Sequence, residues 1–178
     1  MRKTILAFAI ISALLVGCSQ PPTQREQAPP VITTFILVRH AEKADDGTKD
    51  PPLTEEGSIR ASDLTRLLLE TKIDAIYSTP YKRTQETVTP IAEAKGLSVI
   101  SYEPMKGDVM DSLLNTHSGG TVLVSGHSNT TPWVANYFLG SESFPNFEDS
   151  DYDNVMVLSI IEKGNAKVTW LNYGVPTN

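Results

Sequence analysis

The sequence predicts an α/β fold: a three-layer sandwich in which a mostly parallel central sheet has helices on both faces and an antiparallel edge hairpin. Three observations predict it. Short apolar runs of strand length ("VITTFILV", "DAIYS", "LSVISY", "TVLVSG") alternate with stretches of helical period, the pattern of strand-helix-strand units. Strands joined through a helix pair in parallel, and continuous apolar runs suit strands covered on both faces. The last two strands, "NVMVLSII" and "KVTWLNY", are separated only by "EKGNA" and read as an antiparallel hairpin.

Taken in order, "VITTFILV" is the first strand and "KADDGTKDPP" a loop. The stretch "LTEEGSIRASDLTRLLLE" is a helix on which Ile59, Leu64, Leu67 and Leu68 fall near helical spacing, with Thr54 as its N-cap and Glu55 and Glu56 in the first turn. After the strand "DAIYS", a helix is expected over 82–95, closed by Gly96 and bent or interrupted at Pro90. The strand "LSVISY", a short helix over 109–115, the strand "TVLVSG" and a helix over 131–139 follow, with Pro132 suited to a first turn. The acidic group "FEDSDYD", Phe147 to Asp153, lacks the spacing and glycine of a calcium loop and reads as a charged loop before the hairpin. No internal repeat is visible.

The chain opens differently. Arg2 and Lys3 precede "TILAFAIISALLVG", a positive n-region and an apolar h-region of signal-peptide length. This leader ends in "LLVGC", which resembles the lipobox of bacterial lipoproteins. That resemblance implies a signal peptide over 1–17, lipidation at Cys18 and extracytoplasmic anchoring on the periplasmic side of the inner or outer membrane. Residues 18–30, beginning "CSQPPTQREQAPP", have the composition of a disordered tether, so the folded domain is expected over 31–178. Cys18 is the only cysteine, which rules out an intramolecular disulfide. Loss of Arg2 and Lys3 with the leader leaves 13 basic against 21 acidic residues, a balance of −8 that argues against nucleic acid as a partner. A membrane would be met through the lipid only, and no oligomeric signal is visible, so a monomer is expected.

In sheets of this class, ligands sit at the carboxyl ends of the strands. Arg39 and His40 end the first strand, Arg83 follows "DAIYS" by one turn, and His127 lies just past "TVLVSG". Two histidines and two arginines from three distant segments should therefore meet at one rim. Guanidinium groups match phosphoryl oxygens bidentately, and an imidazole can act as nucleophile or hydrogen-bond donor.

The segments "LVRHAEK", "PPLTEEGSIRASDL", "IYSTPYKRTQETVTPIA" and "VLVSGHSNTTP", in this order, resemble the motifs of the histidine phosphatase superfamily, also called phosphoglycerate-mutase-like. The resemblance implies that His40 is a nucleophile forming a phosphohistidine. It also implies that Arg39, Arg83 and His127 hold the phosphoryl oxygens, His127 as a cation facing the dianion. Positioning and charge then suffice, without metal or organic cofactor. Ala41 stands where many members carry glycine.

A general acid is less defined. Many members supply a glutamate beyond the third strand; here Glu103 ranks first and Asp108 second, and a third possibility is that neither acts, as in members that cleave good leaving groups. His117 reads as a surface residue, Lys43 as a rim or solvated lysine, and Ser128, Asn129 and Thr130 as capping residues for the helix that follows. The function expected is a phosphoric monoester hydrolase of the cell envelope acting on small phosphorylated molecules or phosphoproteins. A phosphohistidine protein phosphatase and a non-catalytic phosphate-binding lipoprotein are the alternatives.

Overall fold

A computed structural model describes residues 28–177. The expected leader, Cys18 and most of the tether lie outside the described residues; 28–30 are exposed and without regular structure. Six strands and four helices alternate as β1 (Thr33–Arg39), α1 (Glu55–Leu68), β2 (Ala75–Ser78), α2 (Lys82–Lys95), β3 (Val99–Ser101), α3 (Gly107–Thr116), β4 (Thr121–Gly126), α4 (Thr130–Leu139), β5 (Asn154–Glu162) and β6 (Asn165–Asn172). They form one sheet of order β3-β2-β4-β1-β5-β6. β3, β2, β4 and β1 are parallel, while β5 runs antiparallel to β1 and β6 antiparallel to β5, as the expected edge hairpin.

The alternation of side chains along a strand explains the unbroken apolar run in β1. Phe35 and Leu37 face a core shared with Met110 and Leu113 of α3 and Val134 and Phe138 of α4. Ile36 and Val38 face the opposite core, with Leu64 and Leu68 of α1 and Val88 and Ile91 of α2. Both faces are thus covered by helices. Among the described residues no helix is long and apolar enough to cross a membrane.

Local chemistry sets most boundaries. Thr54 caps α1 by accepting from the Gly57 amide at 3.1 Å. Gly96 closes α2 at φ 65°, donating its amide back to Ala92 and Glu93. Pro90 does not interrupt α2, which runs unbroken from Lys82 to Lys95. Two expectations on α1 are corrected: Ile59 and Leu67 are 54% and 49% exposed, and the buried face is Gly57, Arg60, Ala61, Leu64 and Leu68. The helix turns its stripe this way because Gly57 must lie against the loop after His40. A Cβ at Gly57 would sit 2.2 Å from the Glu42 carbonyl oxygen. Capping of α4 also differs: Asn129 occupies the N-cap position but makes no side-chain cap, and Thr130 Oγ1 accepts from the His127 amide at 2.8 Å.

Candidate active site

Register places the strand ends level. Arg39 pairs with Gly126, and Ser78 pairs with both Ser125 and Ser101, so β1, β4, β2 and β3 finish at one rim. The His40 amide donates to the Gly126 carbonyl at 2.9 Å, and the Ala41 amide donates to Thr87 Oγ1 of α2 at 2.9 Å. The chain therefore leaves β1 held on two sides. Helix α2, which lacks a cap at Tyr81, receives one from the preceding loop through Lys82 N–H to Asp50 at 2.9 Å.

The rim opens as a cleft of about 450 Å³ lined by Arg39, His40, Arg83 and His127, with Lys43, Tyr81, Met105 and Asp149 among its walls. His40 and His127 face each other with ring centres 5.5 Å apart. All four residues that the sequence placed at one rim thus meet. His40 is 3% exposed, and its Nδ1 lies 2.8 Å from the Ala41 carbonyl oxygen. A carbonyl only accepts, so Nδ1 carries the proton and Nε2 keeps its lone pair. Burial, with Arg39, His127 and Arg83 nearby, pushes the His40 imidazolium down to about 3. The ring is therefore neutral and nucleophilic at ordinary pH.

His127 is fixed by deduction along a hydroxyl chain. Thr84 Oγ1 donates to the carbonyls of Thr79 and Tyr81, so it accepts from Thr79 Oγ1, which is then left to accept from His127 Nε2 at 2.9 Å. Nδ1 accepts from Arg83 Nη2 at 3.4 Å. Burial first, then Arg83 and Arg39, lowers His127 to about 4, so without an anion in the cleft it is neutral rather than cationic. Arg83 Nε and Nη1 and Arg39 Nε are buried with no hydrogen-bond partner. Arg83 Nη1 lies 3.7 Å from an Asp50 carboxylate oxygen, and the buried guanidinium N–H groups without a hydrogen bond around a neutral imidazole suit an oxyanion.

The stability consequence has a definite sign. Both imidazoles bind protons more weakly folded than unfolded, so stability is fully present above the ordinary histidine value of 6.5 and falls as pH drops toward about 3 for His40 and about 4 for His127. His40 should contribute about 2 kcal/mol of destabilisation at pH 4.5. Urea unfolding at pH 7 and 4.5 is expected to show a fall in stability that is smaller in His40→Asn.

The structure does not bring Glu103 into the cleft. Its side chain is exposed and paired with Lys106 at 2.8 Å, although its neighbours Pro104 and Met105 line the wall. Asp108 is exposed in the first turn of α3, outside the lining. Among the described residues, the carboxylate that lines the cleft is Asp149, which is solvent-exposed and 4.0 Å from Arg39 Nη2. Lys43 is an exposed wall residue, whereas His117 binds the Tyr77 hydroxyl at 3.0 Å, away from the rim. Three contributors escaped sequence reasoning. Tyr81 packs edge-on to His127 at 5.0 Å, and Asp149 and Tyr152 come from the acidic loop read there as mere charge. For Tyr81 the signal was present, since it stands inside the segment "IYSTPYKRTQETVTPIA". A second cleft has Ile59, Val175 and Pro176 in its wall and carries three carboxylates, Glu42, Glu56 and Asp63, against one cation, Arg60, a balance that disfavours an anionic substrate.

The family model described as histidine phosphatase superfamily (branch 1) matches residues 35–106. Phosphoserine phosphatase 1 of Hydrogenobacter thermophilus is 46% identical over 75 residues, 39% of this chain and 36% of that protein; the match thus spans about a third of the curated relative. The protein histidine phosphatase SixA complexed with tungstate has a TM-score of 0.66 at 19% identity, covering 79% of this chain and 96% of that one. A mycobacterial glucosyl-3-phosphoglycerate phosphatase also gives 0.66, at 13% identity over 80% of this chain and 100% of its own. These two structures show the shared fold. The segment that matches the histidine phosphatase superfamily model contains Arg39, His40 and Arg83.

Proposed function

We propose that the protein is a phosphatase that hydrolyses phosphomonoesters through a phosphohistidine intermediate, held at the cell envelope by a lipid on Cys18. One observation carries the chemistry: His40 is buried, neutral and locked with Nδ1–H on Ala41, leaving Nε2 free in a cleft lined by Arg39 and Arg83, whose guanidinium groups keep N–H groups without a hydrogen-bond partner. Nε2 attacks phosphorus as the bond to the leaving oxygen breaks, and that oxygen takes up a proton from water. Arg39 and Arg83 hold the non-bridging oxygens, and the charge gained by the phosphorylated ring is shared with the Ala41 carbonyl. Water then attacks phosphorus, the N–P bond breaks, and orthophosphate leaves with His40 neutral again. The charges of Arg39 and Arg83 supply the stabilisation of the transferred group's oxygens. The envelope location rests on the leader and lipobox pattern of the sequence.

A second reading, phosphohistidine hydrolysis, is favoured by one observation: neither Glu103 nor Asp108 reaches the cleft, and the carboxylate that lines it, Asp149, is solvent-exposed and lies beside the Arg39 cation, so substrates whose leaving group needs little protonation suit it best. Turnover in excess chelator of an aryl phosphate, an alkyl phosphate and a phosphohistidine peptide tests both readings. The aryl ester and the phosphoramidate are expected to turn over, with the alkyl ester slower by about a hundredfold and with Glu103→Gln within about threefold of the parent on all three. Equal turnover of the alkyl ester, lost in Glu103→Gln, would restore that glutamate as the acid. Absence of turnover on all three would leave a phosphate-binding lipoprotein.

A further inference from the structure

The acidic loop between α4 and β5 is built into the Arg39 side of the cleft. Arg39 is 2% exposed, and its Nη1 donates both protons to backbone carbonyls of this loop, to Glu148 at 2.6 Å and Asp151 at 2.9 Å. Nη2 gives one proton to the Asp149 carbonyl at 3.1 Å. A guanidinium has five N–H groups, so two remain, Nε–H and one on Nη2. Nε has no hydrogen-bond partner, and Nη2 also lies 4.0 Å from the exposed Asp149 carboxylate, so the Nε–Nη2 side of the group is the part left to take phosphoryl oxygens. Three carbonyls thus decide which edge of Arg39 faces the ligand.

Carbonyls in the guanidinium plane fix its rotation but leave its faces open. Tyr152 covers one: its ring centre is 4.3 Å from Arg39 Cζ. The same ring stands 5.9 Å from the His40 ring at 52°, touching both the clamp and the nucleophile. Tyr152 is itself braced from the chain's far end, its amide donating to Thr177 Oγ1 at 3.1 Å. The loop is tied at its start as well, by the Phe147 amide to the Ser128 carbonyl at 2.9 Å, next to His127.

We propose that Tyr152 is a positioning residue for phosphoryl transfer: its ring, stacked on Arg39 and set against His40, holds the open edge of the guanidinium and the nucleophile in mutual register. The proposal rests on the phosphatase reading for its kinetic consequence but not for its binding consequence. A desolvated cation–π contact is worth about 2 kcal/mol, roughly thirtyfold. Tyr152→Ala and Tyr152→Leu are therefore expected to lose about ten- to thirtyfold in kcat/KM on an aryl phosphate, mainly in kcat. Tyr152→Phe, which keeps the ring, should stay within about threefold of the parent.

Orthophosphate affinity, measured by calorimetry on the same four proteins, gives a readout that needs no turnover. It is expected to weaken in the alanine and leucine variants and to recover in phenylalanine. Thermal midpoints identify a variant that fails to fold, and the leucine variant keeps bulk in place should alanine collapse. Folded alanine and leucine variants with unchanged kcat/KM and phosphate affinity would overturn the proposal, as would a phenylalanine variant that loses as much as alanine. Should the parent bind orthophosphate without turning over any ester, the phosphatase reading fails and the phosphate affinities alone decide the role of Tyr152. A parent that does not bind orthophosphate overturns both.

Discussion

His40→Ala is expected to lose turnover by about a thousandfold or more, because in the proposed mechanism the variant removes the atom that forms the bond rather than one that polishes its geometry. The fold should survive. His40 contributes one buried hydrogen bond through its ring, to Ala41, while the backbone around it stays tied through His40 N–H to Gly126 and Ala41 N–H to Thr87. Orthophosphate binding should persist, since the open N–H groups belong to Arg39 and Arg83. The measurement is a quenched single turnover with radiolabelled aryl phosphate. The parent is expected to trap an acid-labile, alkali-stable phosphoprotein, and the variant none. Residual turnover above about a tenth of the parent's would mean that another group attacks phosphorus, and the phosphohistidine mechanism would fall.

The largest stability effect is expected away from the cleft, at Arg60. It is 5% exposed on the inner face of α1 and binds both oxygens of Glu42 at 2.7–2.9 Å, the Tyr173 carbonyl at 3.0 Å and the Val175 carbonyl at 2.9 Å. It therefore joins the loop after His40 to the last described residues of the chain. Removing one partner of a buried pair leaves the other uncompensated and costs about 3 kcal/mol. Arg60→Leu should lower the thermal midpoint by about 10 °C. Adding Glu42→Leu should recover part of that loss, because the stranded carboxylate goes with it. A single variant within about 2 °C of the parent would show that water replaces the network at no cost.

The sequence by itself determined the layout. Apolar runs of strand length, the Thr54 cap, the Gly96 stop and the short link before the last strand are local signals, and each acts over a few residues without help from the rest of the chain. Arg39, His40, Arg83 and His127 were legible for the same reason: parallel strands must end at one rim, so residues at those ends must converge. Only the tertiary structure decided the side-chain directions beyond the strands. Glu103 and Asp108 have the right charge at the right distance along the chain, yet one turns to Lys106 and the other sits exposed on α3. The helical spacing of Ile59 and Leu67 gave way to the demand that Gly57 and Arg60 face the loop after His40, a close approach that no period encodes. The acidic loop contributes to the site through backbone carbonyls and one aromatic ring, while its sequence advertises carboxylates. Backbone groups are the same in every residue, so what they hold is fixed by where distant segments pack, over a separation of more than a hundred residues between Arg39 and its partners.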